Sequence, residues 1–256
     1  MGCILSSSTK YDDITLEEVA TTKKTPVDFA YFPVVGRGEQ IRLIFAEHGI
    51  ASNEIVPVGF GGDTFKHGET PHGHLPWLKD GELTLNDSFA IVQYLVEKYP
   101  GPFTPDSFGA KMKSIDAWAF VQDYYSFVLS PLHDMALKHG ERFWRNARMT
   151  DTRAVGSEEE YVADLKTLHE KRMGYFEKKC AALGTPFLSG SACTYADVFL
   201  YTCVYAVQKC KGFGPFRDAC GGDPFKEYPT VLAIVAKVAE REKIKAVAGK
   251  FDQAPI

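Results

Sequence analysis

Three prolines fall within the eight residues "PGPFTPDS" at 100–107, and no regular element can run through them. Proline fixes φ, lacks a backbone N–H and keeps its predecessor out of the helical region. The chain is therefore divided there. Upstream, short apolar runs alternate with helical patterns; downstream, only helical spacing remains. A length of 256 residues leaves room for two small domains with good cores. The expected organisation is a polar leader at 1–26, one domain at 27–101 and a second at 108–256.

In the first domain, "VDFAYF" reads as a strand. "EQIRLIFAEHGI" follows as a helix, with Ile41, Ile44, Phe45 and His48 on one face and Gly49 as its stop. "NEIVPV" is a second strand. "PHGHLPWLKDGELTLND" holds two more around the Asp80-Gly81 turn signal, and "SFAIVQYLVEKY" is a helix facing inward through Ile91, Val92, Leu95 and Tyr99. The order β-α-β-loop-β-β-α resembles a thioredoxin-type half-fold. Beyond the prolines the spacing predicts helices at 108–139, 157–182, 194–211 and 229–241. "TYAD" is a capping signature in which Thr194 accepts from the helix start and Asp197 reaches back.

The net charge of −4 argues against nucleic-acid partners, whose binders carry basic patches. The six cysteines, at 3, 180, 193, 203, 210 and 220, form no CxxC pair. That pattern suits free thiols in a reducing, cytoplasmic compartment. No apolar run approaches a membrane span of about 20 residues. The leader "MGCILSSST" matches the myristoylation pattern at Gly2, with Cys3 beside it as a palmitoylation candidate. One myristoyl chain anchors only marginally, and residues 1–26 hold no basic cluster. Stable attachment to a cytoplasmic membrane face would thus need Cys3; the other reading is an unmodified leader.

Three stretches taken together resemble the cytosolic glutathione transferases of the tyrosine type, nearest the pi and sigma classes. They are "YFPVVGRGEQIRLIF", "GHLPWLKDGELTLNDSFAIVQYL" and "FLSGSACTYADVFLY", and the likeness spans about residues 27–250. It implies an α/β thioredoxin-like N-terminal domain that binds glutathione, and an all-α C-terminal domain that lines the electrophile site. It further implies a homodimer, glutathione as co-substrate, and no metal or other cofactor.

On this resemblance Tyr31 is the catalytic residue. A phenol O–H donated to the glutathione sulfur favours the thiolate. A hydrogen bond to a charged group is worth about 1.5–3 kcal/mol, enough to bring a thiol from about 8.5 close to neutrality. Residues 27–50 contain neither cysteine nor serine, which disfavours the relatives that use those nucleophiles. Leu75-Pro76 matches the loop whose proline is cis, where Leu75 can pair with the peptide backbone of glutathione. Asp87 and Ser88 open a helix suited to the γ-glutamyl ammonium and carboxylate, though Ser88 could be only an N-cap. His74 stands where pi-like members commonly carry glutamine. Lys66, or else His67, lies where a base meets the glycyl carboxylate, and Arg37 either joins it or braces the helix. Asp123 lies where related subunits send an acid across the dimer. Val34, Val35, Tyr124, Tyr125 and His133 are electrophile-pocket candidates that read equally as core. The expected activity is conjugation of apolar electrophiles to glutathione. The alternatives are a sigma-type glutathione-dependent isomerase and a non-catalytic, membrane-tethered ligand-binding protein.

Overall fold

The computed structural model describes residues 25–56, 74–132 and 157–252. The first unit runs β1 (Val27–Ala30), α1 (Glu39–His48), β2 (Ser52–Ile55), β3 (Trp77–Asp80), β4 (Leu83–Asn86) and α2 (Ser88–Lys98). The strands form one sheet in the order β2-β1-β3-β4. β2 is parallel to β1, as a strand reached through a helical crossover can be, whereas β3 and β4 are antiparallel neighbours. Phe29 and Leu78 sit opposite each other on the sheet and are fully buried with Ile41, Ile44, Ile91, Val92 and Leu95 from the two helices.

Helix α1 ends where the sequence predicts: Gly49 takes φ 68° and gives its N–H to the carbonyl of Phe45. Three local expectations need correction. The β3–β4 turn is Gly81-Glu82, with Asp80 still paired to Leu83 in the ladder. Tyr99 lies past the end of α2 and packs only half-buried against the core, its hydroxyl donating to Asp80 Oδ2 at 2.6 Å, joined there by Tyr94 and Lys98. β1 stops at Ala30, although the Tyr31 N–H still reaches the Ile55 carbonyl at 3.3 Å.

The second unit comprises α3 (Phe108–Tyr124), a π turn (Tyr125–Leu129), α4 (Glu158–Leu183), α5 (Tyr195–Lys209), a 3-10 turn (Lys211–Phe213), α6 (Gly214–Ala219), α7 (Pro229–Ala239) and α8 (Glu242–Val247). The predicted helix at 108–139 is thus interrupted by a wider turn at Tyr125, and its end lies outside the described residues. At the start of α5 the capping box is present: the Thr194 N–H donates to Asp197 Oδ2 at 2.8 Å, and Oδ1 takes the Leu188 N–H at 2.8 Å. Burial pushes the Asp197 carboxyl up to about 6, against these bonds, which favour its charged form.

The two units share a core. Trp118 of α3 stacks between Phe89 of α2 (centroids 4.4 Å) and Phe199 of α5 (5.0 Å), and its indole N–H donates to Gln40 of α1 at 3.0 Å. The proline stretch is held as tightly. His48 Nδ1 lies 2.8 Å from the Tyr99 carbonyl, and His48 Nε2 accepts the Phe103 N–H at 3.1 Å.

Candidate functional site

The register places the sequence-derived residues on one row. Ala30 of β1 faces Trp77 of β3, and Trp77 faces Asn86 of β4. The next residue outward from each is Tyr31, Pro76 and Asp87, so all three stand at the same end of the sheet. Neighbouring strands are about 4.8 Å apart, so the row spans about 10 Å. An extended tripeptide has about that reach.

Each station on the row is held by its own local chemistry. At β1, the turn Pro33–Gly38 folds over the Tyr31 ring. A Cβ on Gly38 would lie 2.3 Å from Tyr31 Cγ and Cδ1, and one on Gly36 would lie 2.6 Å from its hydroxyl. The two glycines are what allow so close an approach. Burial raises the Tyr31 pKa, and the backbone amides of Arg37 and Gly38 and the guanidinium groups of Arg42 and Arg37 oppose that rise. Arg42 braces the same turn from α1, donating to the carbonyls of Phe32 (2.9 Å) and Val34 (3.2 Å) and to Glu39 (3.1 Å) and Glu54 (2.6 Å).

At β3, the Leu75-Pro76 bond is cis, as the resemblance implies. Asn86 secures the loop: its amide donates to the His74 carbonyl at 2.6 Å and to the Pro76 carbonyl at 3.4 Å. His74 itself is exposed and Leu75 half-buried.

At β4, the N-cap of α2 is Asp87 rather than Ser88. Its Oδ1 accepts from the N–H groups of Phe89 (2.9 Å) and Ala90 (3.2 Å), while its backbone takes φ 91°. A non-glycine residue at positive φ is uncommon and clusters at ligand sites. Ser88 is 1% exposed, and among the described residues its hydroxyl has no hydrogen-bond partner. Buried hydroxyls are ordinarily satisfied, which makes Ser88 a candidate ligand contact.

The helical unit contributes differently from the sequence reading. Tyr125 is buried with its ring 5.7 Å from that of Phe199, and Arg37 lies over it at 4.7 Å. With its amide oxygen turned toward Arg37, Gln122 accepts from both terminal nitrogens at 3.0 and 3.1 Å. Tyr124 does not join this group. Its hydroxyl meets His169 Nδ1 at 3.0 Å, and His169 Nε2 meets the Pro224 carbonyl at 2.8 Å, inside the helical core. Tyr124 is therefore core, not pocket wall. Val34 and Val35 are buried beside the turn, and Asp123 is exposed. Lys66, His67, His133, Gly2 and Cys3 lie outside the described residues. Among the described residues no cluster of His, Cys, Asp and Glu could hold a metal ion, and no helix is long and apolar enough to cross a membrane.

Arg42, Asn86 and Gln122 were not legible as functional. Arg42 had one signal, a charge on the otherwise apolar α1 segment "IRLIF".

Residues 37–103 match the family model described as "Glutathione S-transferase, N-terminal domain", and residues 146–249 match "Glutathione S-transferase, C-terminal domain". The chain is 30% identical over 183 residues to the glutathione S-transferase-like protein OpS6 of Beauveria bassiana (strain ARSEF 2860), covering 70% of this chain and 73% of that protein. It is 26% identical over 219 residues to glutathione S-transferase P 1 of Xenopus laevis, covering 84% and 87%. Among solved structures, the glutathione S-transferase from Ascaris lumbricoides superposes with a TM-score of 0.69 at 19% identity, over 91% of this chain and all (100%) of that one. Rat hPGDS complexed with a quinoline gives 0.67 at 20% identity, with the same coverage of 91% and 100%. At these identities the structural likeness concerns the fold.

Proposed function

Because the chain belongs to the glutathione S-transferase family, we propose that it conjugates glutathione to apolar electrophiles with Tyr31 as the thiol activator. The observation that carries this reading is the row Tyr31, Leu75-Pro76 and Asp87-Ser88 at one end of the sheet, as long as an extended tripeptide. Leu75 before the cis bond offers its backbone to the cysteinyl residue. The Ser88 hydroxyl, without a partner among the described residues, and the start of α2 suit the γ-glutamyl carboxylate, and the exposed Asp87 carboxylate suits the ammonium. Tyr31 then meets the sulfur. Lys66 takes the glycyl end, and Val34 and Val35 border the electrophile. Holding the two substrates side by side supplies much of the rate.

Conjugation of a chloronitrobenzene should be measurable and should fall at least tenfold in Tyr31→Phe. One observation favours a second reading. Tyr31 is 6% exposed, which suits a non-catalytic ligand-binding protein that retains the fold. Tight glutathione binding with no turnover of several electrophiles would select it. A sigma-type isomerase would instead show turnover without loss of free thiol.

The leader supports acylation at Gly2 and Cys3, with a dimer in the cytoplasm or at its membrane face. Mass spectrometry of the native N-terminus tests this; a retained Met1 would overturn it.

A further inference from the structure

Arg42 holds the turn over Tyr31 at two carbonyls that already have a partner. The Val34 N–H reaches the Phe32 carbonyl at 2.8 Å and the Gly36 N–H reaches the Val34 carbonyl at 3.1 Å, so the chain makes two successive three-residue turns. Arg42 donates to the same two carbonyls, at 2.9 and 3.2 Å. Glu39 and Glu54 take its other N–H groups, which leaves the two faces of the planar guanidinium.

Phe251 covers this guanidinium. Its ring centre lies 4.4 Å from the guanidinium carbon, nearer than the rings of Tyr31 at 5.6 Å and Phe29 at 5.8 Å. The residues on either side fix the ring in place. Asp252 accepts the Tyr205 hydroxyl of α5 at 2.8 Å, its carbonyl takes the Lys211 N–H at 3.4 Å, and its own N–H returns to the Gly249 carbonyl at 3.3 Å. Lys250 lies 3.4 Å from Glu54 on the edge strand β2. The turn at 249–252 thus straps the helical unit to the sheet, and Arg42 beneath it is 8% exposed.

We propose that Phe251 is a positioning residue for Tyr31: it caps Arg42, whose guanidinium then holds the turn that aims the Tyr31 hydroxyl at the glutathione sulfur. The inference rests on the reading that Tyr31 meets that sulfur. A guanidinium against an aromatic face is held more strongly as the pair is desolvated. Without the ring, water competes for the N–H groups that now reach Phe32 and Val34. The two turns then keep only their own short-range bonds, and the hydroxyl at the end of β1 loses its fixed direction. A thiolate stabilised by one donor depends on that direction, because hydrogen bonds weaken steeply off line.

The test is the pH midpoint of the bound glutathione thiol, read from thiolate absorbance in the binary complex and from the pH profile of kcat/KM. Phe251→Leu keeps the apolar bulk at a half-buried position, so the fold is retained, and removes the aromatic face. It should move the midpoint upward by about half a unit, the scale of one cation–π contact. Phe251→Tyr keeps the face and should restore the wild-type midpoint. In a Tyr31→Phe background Phe251→Leu should move nothing. A Phe251→Leu midpoint equal to the wild type, whatever its melting temperature, would reduce Phe251 to packing and overturn the inference while leaving Tyr31 intact. A shift that persists without the Tyr31 hydroxyl would overturn it as well. A Tyr31→Phe midpoint equal to the wild type would instead remove the premise, and both readings would fall.

Discussion

His48 ties the first domain to the linker through Phe103, whose backbone N–H it accepts on Nε2 at 3.1 Å. That bond requires Nε2 to be unprotonated, so the proton sits on Nδ1 and is donated to the Tyr99 carbonyl at 2.8 Å. The ring is enclosed tightly enough that a Cβ on Gly101 would come within 2.6 Å of it. An imidazolium has two donors and no acceptor, so protonation sets N–H against N–H at the linker.

The consequence is an acid-sensitive junction. Burial lowers the pKa of His48, with Glu47 opposing the shift and Lys243 and Arg241 adding to it. A histidine whose folded pKa is depressed contributes stability that is fully present above its unfolded value near 6.5 and is lost as pH falls below it. His169, buried and lowered in the same way, adds to the same limb. Asp197, raised to about 6, acts in the opposite direction as pH falls through that value, and so offsets part of the loss at the acid end of this range. The melting temperature should therefore fall between pH 7.5 and 6. The fall should be shallower in His48→Asn, which is expected to be less stable throughout. An unchanged slope in that variant would assign the limb to His169 alone.

The turn over Tyr31 makes a second prediction, in which two glycines behave oppositely. Gly38→Ala places a methyl 2.3 Å from a ring that is itself buried, so either the turn or the ring must move. Overpacking of this kind costs about 1–3 kcal/mol, and here it should also lower conjugation by displacing the Tyr31 hydroxyl. Gly109 in the first turns of α3 has no atom within 4 Å of a built Cβ. Gly109→Ala should gain about 0.5–1 kcal/mol through helix propensity and leave activity alone. Chemical denaturation of both variants beside the wild type checks the pair. Equal effects would mean that the ring has room to relax.

How far the sequence reveals this site depends on which interactions are local. The helix stop at Gly49, the capping box at Thr194 and Asp197 and the break at 100–107 follow from rules spanning a few residues, and they were legible. The stations Tyr31, Leu75-Pro76 and Ser88 were legible because a family resemblance carried their positions. What stayed hidden depends on separations of many residues. Arg42 reads as an ordinary helix charge until the chain brings the carbonyls of Phe32 and Val34 and the acid of Glu54 around it. Tyr124 and Tyr125 are indistinguishable in sequence. One turns to His169 in the core and the other lies under Arg37 against Phe199, because consecutive positions on a helix point about 100° apart. In sequence Asp87 reads as a ligand for an ammonium, and in the fold it is also the cap of α2, since its carboxylate reaches two backbone amides.

Ser88 permits a prediction that separates folding from function. Its hydroxyl is buried and has no hydrogen-bond partner among the described residues, so Ser88→Ala breaks no bond there. Leaving a buried polar group unmade costs about 1–3 kcal/mol, and replacing it with a methyl should relieve part of that cost. The variant should therefore melt at or above the wild-type temperature in the absence of glutathione. In its presence the order should reverse. A hydroxyl that donates to the γ-glutamyl carboxylate contributes about 1.5–3 kcal/mol, so its loss should weaken binding at least tenfold. The stabilisation that saturating glutathione gives the wild type should shrink in proportion, because a ligand that binds only the folded state stabilises it by RT ln(1 + [L]/Kd). Calorimetric titration and thermal melts with and without glutathione read both halves. If Ser88→Ala binds glutathione as the wild type does, the row at the end of the sheet does not place the γ-glutamyl group at the start of α2. If it binds normally and also melts lower, the hydroxyl serves the fold rather than the ligand.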